Sequence, residues 1–153
     1  MKRLIPLMAL VLAAVLAGCA GKQALELDCG QLAQDLLDGG VFGETLYELD
    51  ADAADLLVGT ELNCEDVVAY VGTGATSEEL LILTAADEEG AEDCLAALQT
   101  HLEDRKVLYA SYLPEESYKL ENAYLSQEGR YVILCVAADN DKAAEIIGAA
   151  VKG

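Results

Sequence analysis

The sequence predicts an α+β fold: two N-terminal helices, then a ββα-ββα pseudo-repeat whose four strands form one antiparallel sheet with helices packed on it. Three observations carry this. Val67–Asp87 (VVAYVGTGATSEELLILTAAD) reads as two apolar runs joined by the glycine-bearing turn Gly72–Ser77, and it leads into a helical pattern. A diverged copy of the same plan recurs near the C-terminus, where Ala137-Ala138-Asp139 matches Ala85-Ala86-Asp87. In that copy Tyr131–Val136 (YVILCV) is β-branched and aromatic, so it is a strand. The ambiguous run Leu80–Ala85 (LLILTA) should follow it.

The first residues stand apart from this plan. Lys2 and Arg3 form a short basic region, and Leu4–Val15 is an apolar run too short to span a bilayer, which takes roughly 20 residues. The run ends in Leu16-Ala17-Gly18-Cys19, which resembles the lipobox of bacterial lipoproteins. That resemblance implies a signal peptide over residues 1–18, a diacylglyceryl group on the Cys19 thiol, and a lipidated tether over residues 19–28. Two acyl chains suffice for stable anchoring. The expected location is therefore the extracytoplasmic side of the cell membrane, with a single α+β domain over residues 29–153.

Charge excludes one class of partner. Of the nine basic residues, loss of Lys2 and Arg3 leaves 7 against 28 acidic ones, a net charge of −21. Such a surface repels phosphate backbones and anionic headgroups, so nucleic acid is not an expected partner and the domain should stand off the bilayer. With 54% hydrophobic residues the chain still has enough apolar content for a packed core.

Along the domain, Cys29–Leu37 places Leu32, Ala33, Leu36 and Leu37 on one helical face, with Asp28 as N-cap and Gly39-Gly40 as the stop. Val41–Leu49 reads as a connector with Phe42, Leu46, Tyr47 and Leu49 available to pack. Asp50–Val58 is a second short helix, capped by Asp50 and ended by Gly59. Asp50, Asp52 and Glu61 fall at positions 1, 3 and 12 of a calcium loop, but Ala54 and Asp55 occupy positions that need an oxygen ligand and a glycine. The acids are better explained as a helix N-terminus, and no metal or cofactor is expected.

Glu65–Gly72 is β-prone. Gly72 and Gly74 hint at a phosphate-cradling loop, yet no third glycine or lysine follows and Glu78-Glu79 sit beside it, which favours a hairpin turn. Asp87–Tyr109 is the main helix, with an apolar stripe of Ala91, Cys94, Leu95, Leu98 and Leu102 and with His101 beside it as a partly exposed residue. Leu120–Ser126 and Arg130–Ala138 form the second hairpin, turned by Gln127–Gly129. The final helix carries Ala143, Ala144, Ile147, Ala150 and Val151. The two longer helices are expected on one face of the sheet, with the other face covered by the N-terminal helices or by a subunit partner.

Two groups of residues invite a functional reading. Tyr109, Tyr112 and Tyr118 cluster around Pro114; they either pack the helix-to-strand connection or, exposed, form a binding surface. Cys29, Cys64, Cys94 and Cys135 share no CxxC spacing, and His101 is the sole histidine, so a zinc site is not expected. In an exported protein the four can pair in three ways, or remain small buried hydrophobes.

YVGTGATSEE (Tyr70–Glu79), SYLPEE (Ser111–Glu116), KLENA (Lys119–Ala123) and GRYVILCVAAD (Gly129–Asp139) resemble the bacterial lipoprotein family carrying domain of unknown function 4358. The resemblance covers most of residues 30–153, and the lipobox suits it. It implies no activity, cofactor or catalytic residue. The leading expectation is a non-enzymatic surface lipoprotein that binds an envelope protein or self-associates. A small-ligand-binding accessory lipoprotein and a cell-envelope enzyme are the alternatives. Carboxylate pairs carry no weight among 28 acids unless geometry selects them.

Overall fold

A computed structural model describes residues 24–152 of the chain; Cys19, the signal peptide assigned to 1–18 and residues 19–23 of the tether lie outside the described residues. The element order is α1 (Cys29–Asp38), β1 (Tyr47–Leu49), α2 (Ala51–Val58), β2 (Asp66–Val71), β3 (Glu79–Thr84), α3 (Glu88–Tyr112), a 3-10 turn (Pro114–Glu116), α4 (Ser117–Glu121), β4 (Tyr124–Glu128), β5 (Tyr131–Val136) and α5 (Asn140–Lys152). Mixed α+β architecture is as expected, but the antiparallel sheet has five strands rather than four, in the order β1-β2-β3-β5-β4.

The fifth strand is β1, inside the stretch read as a connector. Its three residues pair antiparallel with β2, Tyr47 opposite Val71 and Leu49 opposite Ala69. A three-residue strand with two exposed positions has no periodicity to betray it. It exists because β2 offers a row of unpaired backbone groups that Tyr47–Leu49 can complete.

The central strands β3 and β5 are buried at every position, as in a sheet covered on both faces. Their register sets Leu81 against Leu134 and Ile82 against Ile133. With side chains alternating, Leu81, Leu83, Val132 and Leu134 face a core closed by α2 and α3, through Ala54, Ala91, Cys94, Leu98 and Leu102. Leu80, Ile82, Ile133 and Cys135 face a second core closed by α1 and α5, through Leu32, Ala33, Leu36, Ala143 and Ile147.

The two long helices therefore lie on opposite faces, which corrects the expectation of one shared face. Each face of the sheet is apolar and each takes one long and one short helix, a three-layer arrangement. The strand hairpins are ordered symmetrically about β3 and β5, yet their following helices go to opposite sides. No single rotation relates the two sequence repeats.

Local signals hold at the helix ends. Asp28 caps α1 by accepting from the Gln31 N–H at 2.9 Å, and Asp50 caps α2 by accepting from Ala53 at 2.8 Å. Gly59 ends α2 at φ 83°, a conformation that favours glycine. Asp50 is thus spent on its own helix, and Asp55 accepts from the Leu62 N–H at 2.9 Å. Asp87 caps α3, accepting from Gly90 at 2.8 Å. This helix runs three residues past the predicted end, to Tyr112, before Pro114 biases Leu113 away from helical geometry.

Two further boundaries differ from expectation. Leu120, assigned to a strand, is fully buried on α4, and the strand begins at Tyr124. Leu25 and Leu27, assigned to the tether, pack against the α1/α5 core, and the Leu27 N–H donates to the Tyr131 hydroxyl at 3.2 Å. The described end of the tether thus lies on the domain.

Candidate functional site

The residues of greatest chemical interest gather at one end of the β2–β3 hairpin. Glu78 and Glu79 immediately precede the apolar run of β3, and their side chains are fully buried. An ionised carboxylate in such a place needs partners. Glu78 Oε1 accepts from Lys119 Nζ at 2.7 Å, and its Oε2 accepts from the backbone N–H of Gly43 at 2.7 Å and of Glu44 at 3.3 Å. Glu79 lies 3.0 Å from His101 Nε2 and 3.3 Å from Arg105 Nε.

A third carboxylate completes the cluster. Glu116 Oε2 lies 2.9 Å from Lys119 Nζ and accepts from the Ser77 N–H at 2.9 Å. Arg105 Nη2 donates to the Ser77 carbonyl at 3.0 Å, and the Tyr109 hydroxyl donates to the Thr76 carbonyl at 2.8 Å. Burial pushes the Glu116 carboxyl up, but bonds from Lys119 and Ser77 outweigh it and leave the group below its ordinary value. For Lys119, burial acts downwards and is overcome by Glu78 and Glu116, so its ammonium is held above the usual range.

The glycine-bearing turn does hold an anion, and it is the protein's own. The Glu44 carboxylate accepts from the Thr73 N–H at 3.2 Å, from Thr73 Oγ1 at 2.9 Å and from Thr76 Oγ1. A side chain at Gly72 would run into that carboxylate. Burial raises the Glu44 carboxyl, but bonds from Thr76 and Thr73 bring it below the ordinary value. The hairpin reading thus holds for the backbone, with Glu44 filling the space that suggested a phosphate.

His101 was expected to be partly exposed beside the apolar stripe of α3. It is instead 5% exposed and lies within that stripe, where its spacing from Leu98 and Arg105 aims it at Glu79. Sequence periodicity marked the stripe but could not say that two polar members of it would meet a buried glutamate. The available signal was Glu78-Glu79 itself: two acids abutting the apolar run Leu80–Leu83. That position demands cations from elsewhere in the chain.

The three tyrosines are divided. Tyr109 is 5% exposed, its ring in edge contact with Tyr112 at 6.4 Å and under the Arg105 guanidinium at 5.1 Å. It belongs to the packed end of α3 rather than to an open surface. Tyr112 is 68% exposed, one helical turn from the 57%-exposed Leu108, and Val107 is exposed on the same helix. Tyr118 is exposed on α4, with Lys119 Nζ 6.0 Å from its ring centre.

Geometry gives little room for acid–base work by the buried acids. Every oxygen of Glu78 is engaged, and neither Glu78 nor Glu79 reaches solvent. Among the described residues, no group of three or more His, Cys, Asp or Glu is placed to hold a metal ion. No described helix is long and apolar enough to cross a membrane.

The fold is thus a small helix–sheet–helix sandwich with a buried ion cluster locking one hairpin to α3 and α4. Residues 45–137 match the family described as domain of unknown function (DUF4358), and the chain belongs to that family. The matched region contains all five strands, α3 and the ion-paired groups Glu78, Glu79, His101, Arg105, Glu116 and Lys119, while α1, Glu44 and α5 lie outside it. No curated protein and no solved structure matches the chain.

Proposed function

We propose that this chain is a surface lipoprotein, anchored through Cys19, whose domain is a non-enzymatic binding or interaction module at the cell envelope. The observation that carries the reading is the exposure of Val107, Leu108 and Tyr112 on the last turns of α3, with Tyr118 exposed on α4. Large apolar and aromatic side chains held in water are a common mark of a contact surface, and tyrosine is favoured at the centre of such contacts. The α3 end that carries them is fixed by Arg105 and Tyr109, so a partner need not order it on binding. The lipobox-like Leu16–Cys19 supports the anchor, and an acidic exterior supports a domain that stands off the bilayer.

The test is a pull-down from cross-linked cells with three baits: the full anchored chain, Cys19→Ala, and the anchored double variant Leu108→Asp/Tyr112→Ser. An envelope protein enriched at least tenfold by the anchored chain, and lost from both variants while the melting temperature is unchanged, is the expected result. Equal recovery with the double variant would overturn the surface assignment. Recovery of no protein at all, combined with stabilisation by a cell-wall fragment in a thermal-shift screen, would favour small-ligand binding instead.

A further inference from the structure

The four cysteines of the domain are not equivalent in space. Cys64 precedes β2 in the loop that follows α2, and Cys94 lies on the second turn of α3; their sulfurs are 3.0 Å apart. That is too close for two sulfurs merely packed together, and about 1 Å from covalent length. Cys29 is elsewhere, its sulfur 3.5 Å from the Thr84 hydroxyl on the opposite face of the sheet. Cys135 stands opposite Leu80, whereas Thr84 stands opposite Tyr131. Four residues of strand, about 13 Å, therefore separate Cys29 from Cys135. Of the six bonds that four cysteines could form, geometry selects one, Cys64–Cys94, and none of the three complete pairings.

We propose that Cys64 and Cys94 are a disulfide site, oxidised by exchange with a disulfide-bearing donor. One of the two sulfurs, as its thiolate, attacks a donor sulfur and releases one donor thiol. The second then attacks the mixed disulfide and releases the other. Two protons and two electrons pass to the donor, which leaves as two thiols. A cavity of about 200 Å³ lined by Thr60, Asn63, Gly90, Asp93 and Ala97 opens onto Cys94, which gives a small donor a route in. The bond would tie the α2–β2 loop to α3 and so close the covered edge of that core.

The experiment uses the full chain, fully reduced and then exposed to oxidised glutathione, which makes it independent of where the protein resides. Differential alkylation with peptide mapping should recover a Cys64–Cys94 linked peptide, with Cys29 and Cys135 still alkylated as free thiols. The oxidised chain should melt on the order of 10 °C above the reduced one, as closing a loop of this length implies. Reductant should abolish that difference, and Cys64→Ala should never show it. Four free thiols after exposure, a stable glutathione adduct on either cysteine, or a bridge involving Cys29 or Cys135 would each overturn the assignment. The mapping is made on the unmutated chain, so a poorly folding variant cannot obscure the answer.

Discussion

Lys119 Nζ lies 2.7 Å from Glu78 Oε1 although 41 residues separate the two in the chain. The same ammonium holds Glu116, whose carboxylate in turn takes the Ser77 N–H. One cation on the short helix α4 thus fastens the turn that feeds β3, one of the two strands buried at every position. Glu79, the next residue, is held independently by His101 and Arg105 from α3. The hairpin end is clamped from two helices at once.

Removing that cation should be costly. Lys119→Met leaves two carboxylates facing a gap at a site where the lysine side chain is 6% exposed and Glu78 is fully buried. Loss of one partner from a buried pair typically costs about 3–5 kcal/mol. Urea unfolding of the variant should show an unfolding free energy lowered by that amount, with a lower midpoint and an unchanged slope. A loss below about 1 kcal/mol would mean that water reaches the cluster freely.

Stability should also report the cluster through pH. Glu116 and Glu44 sit below their ordinary value of 4.5, so their contribution is present above about that pH and is lost as pH falls through the lower, folded values. Lys119 sits above its ordinary 10.5, so its contribution is present below that pH and is lost as pH rises past it. Melting temperature should therefore be flat, as far as this cluster is concerned, between these limits and should fall below pH 4.5. In Lys119→Met the acid limb should shrink, because Glu116 has lost the bond that opposed its burial and its folded value moves up towards the unfolded one. An identical acid limb in the two proteins would exclude the cluster as its cause.

The divided tyrosines predict opposite results for two small changes. Tyr109→Phe removes a partly buried hydrogen bond to the Thr76 carbonyl and should cost about 1 kcal/mol. Tyr112→Ser removes an exposed ring and should leave unfolding within roughly 0.5 kcal/mol of the parent. Measured under the same denaturant conditions, a reversal of that order would show that the end of α3 packs differently in solution.

Much of the architecture could be read from the residues because its causes are local. Asp28 and Asp50 stand as N-caps immediately before helical runs, and each caps its helix. Tyr131–Val136 carries the composition of a strand, and its repeat partner Glu79–Thr84 shares its fate. The apolar stripe of α3 was likewise visible, and the long apolar strands showed that both faces of the sheet need cover. The family motifs at Tyr70–Glu79, Ser111–Glu116 and Lys119–Ala123 could be quoted as separate strings, with no sign that they meet.

What remained hidden depends on residues far apart in the chain. Strand β1 exists only because β2 presents an open edge, so no pattern within Tyr47–Leu49 announces it. An apolar helix stripe fits either side of a sheet that is apolar on both, so periodicity could not send α3 and α5 to opposite faces. The pairing of Glu78 with Lys119, of Glu79 with His101 and Arg105, and of Glu44 with Thr73 requires carboxylates to enter a low-dielectric interior. That entry is tolerable only when distant donors arrive together, and their arrival is a property of the closed chain.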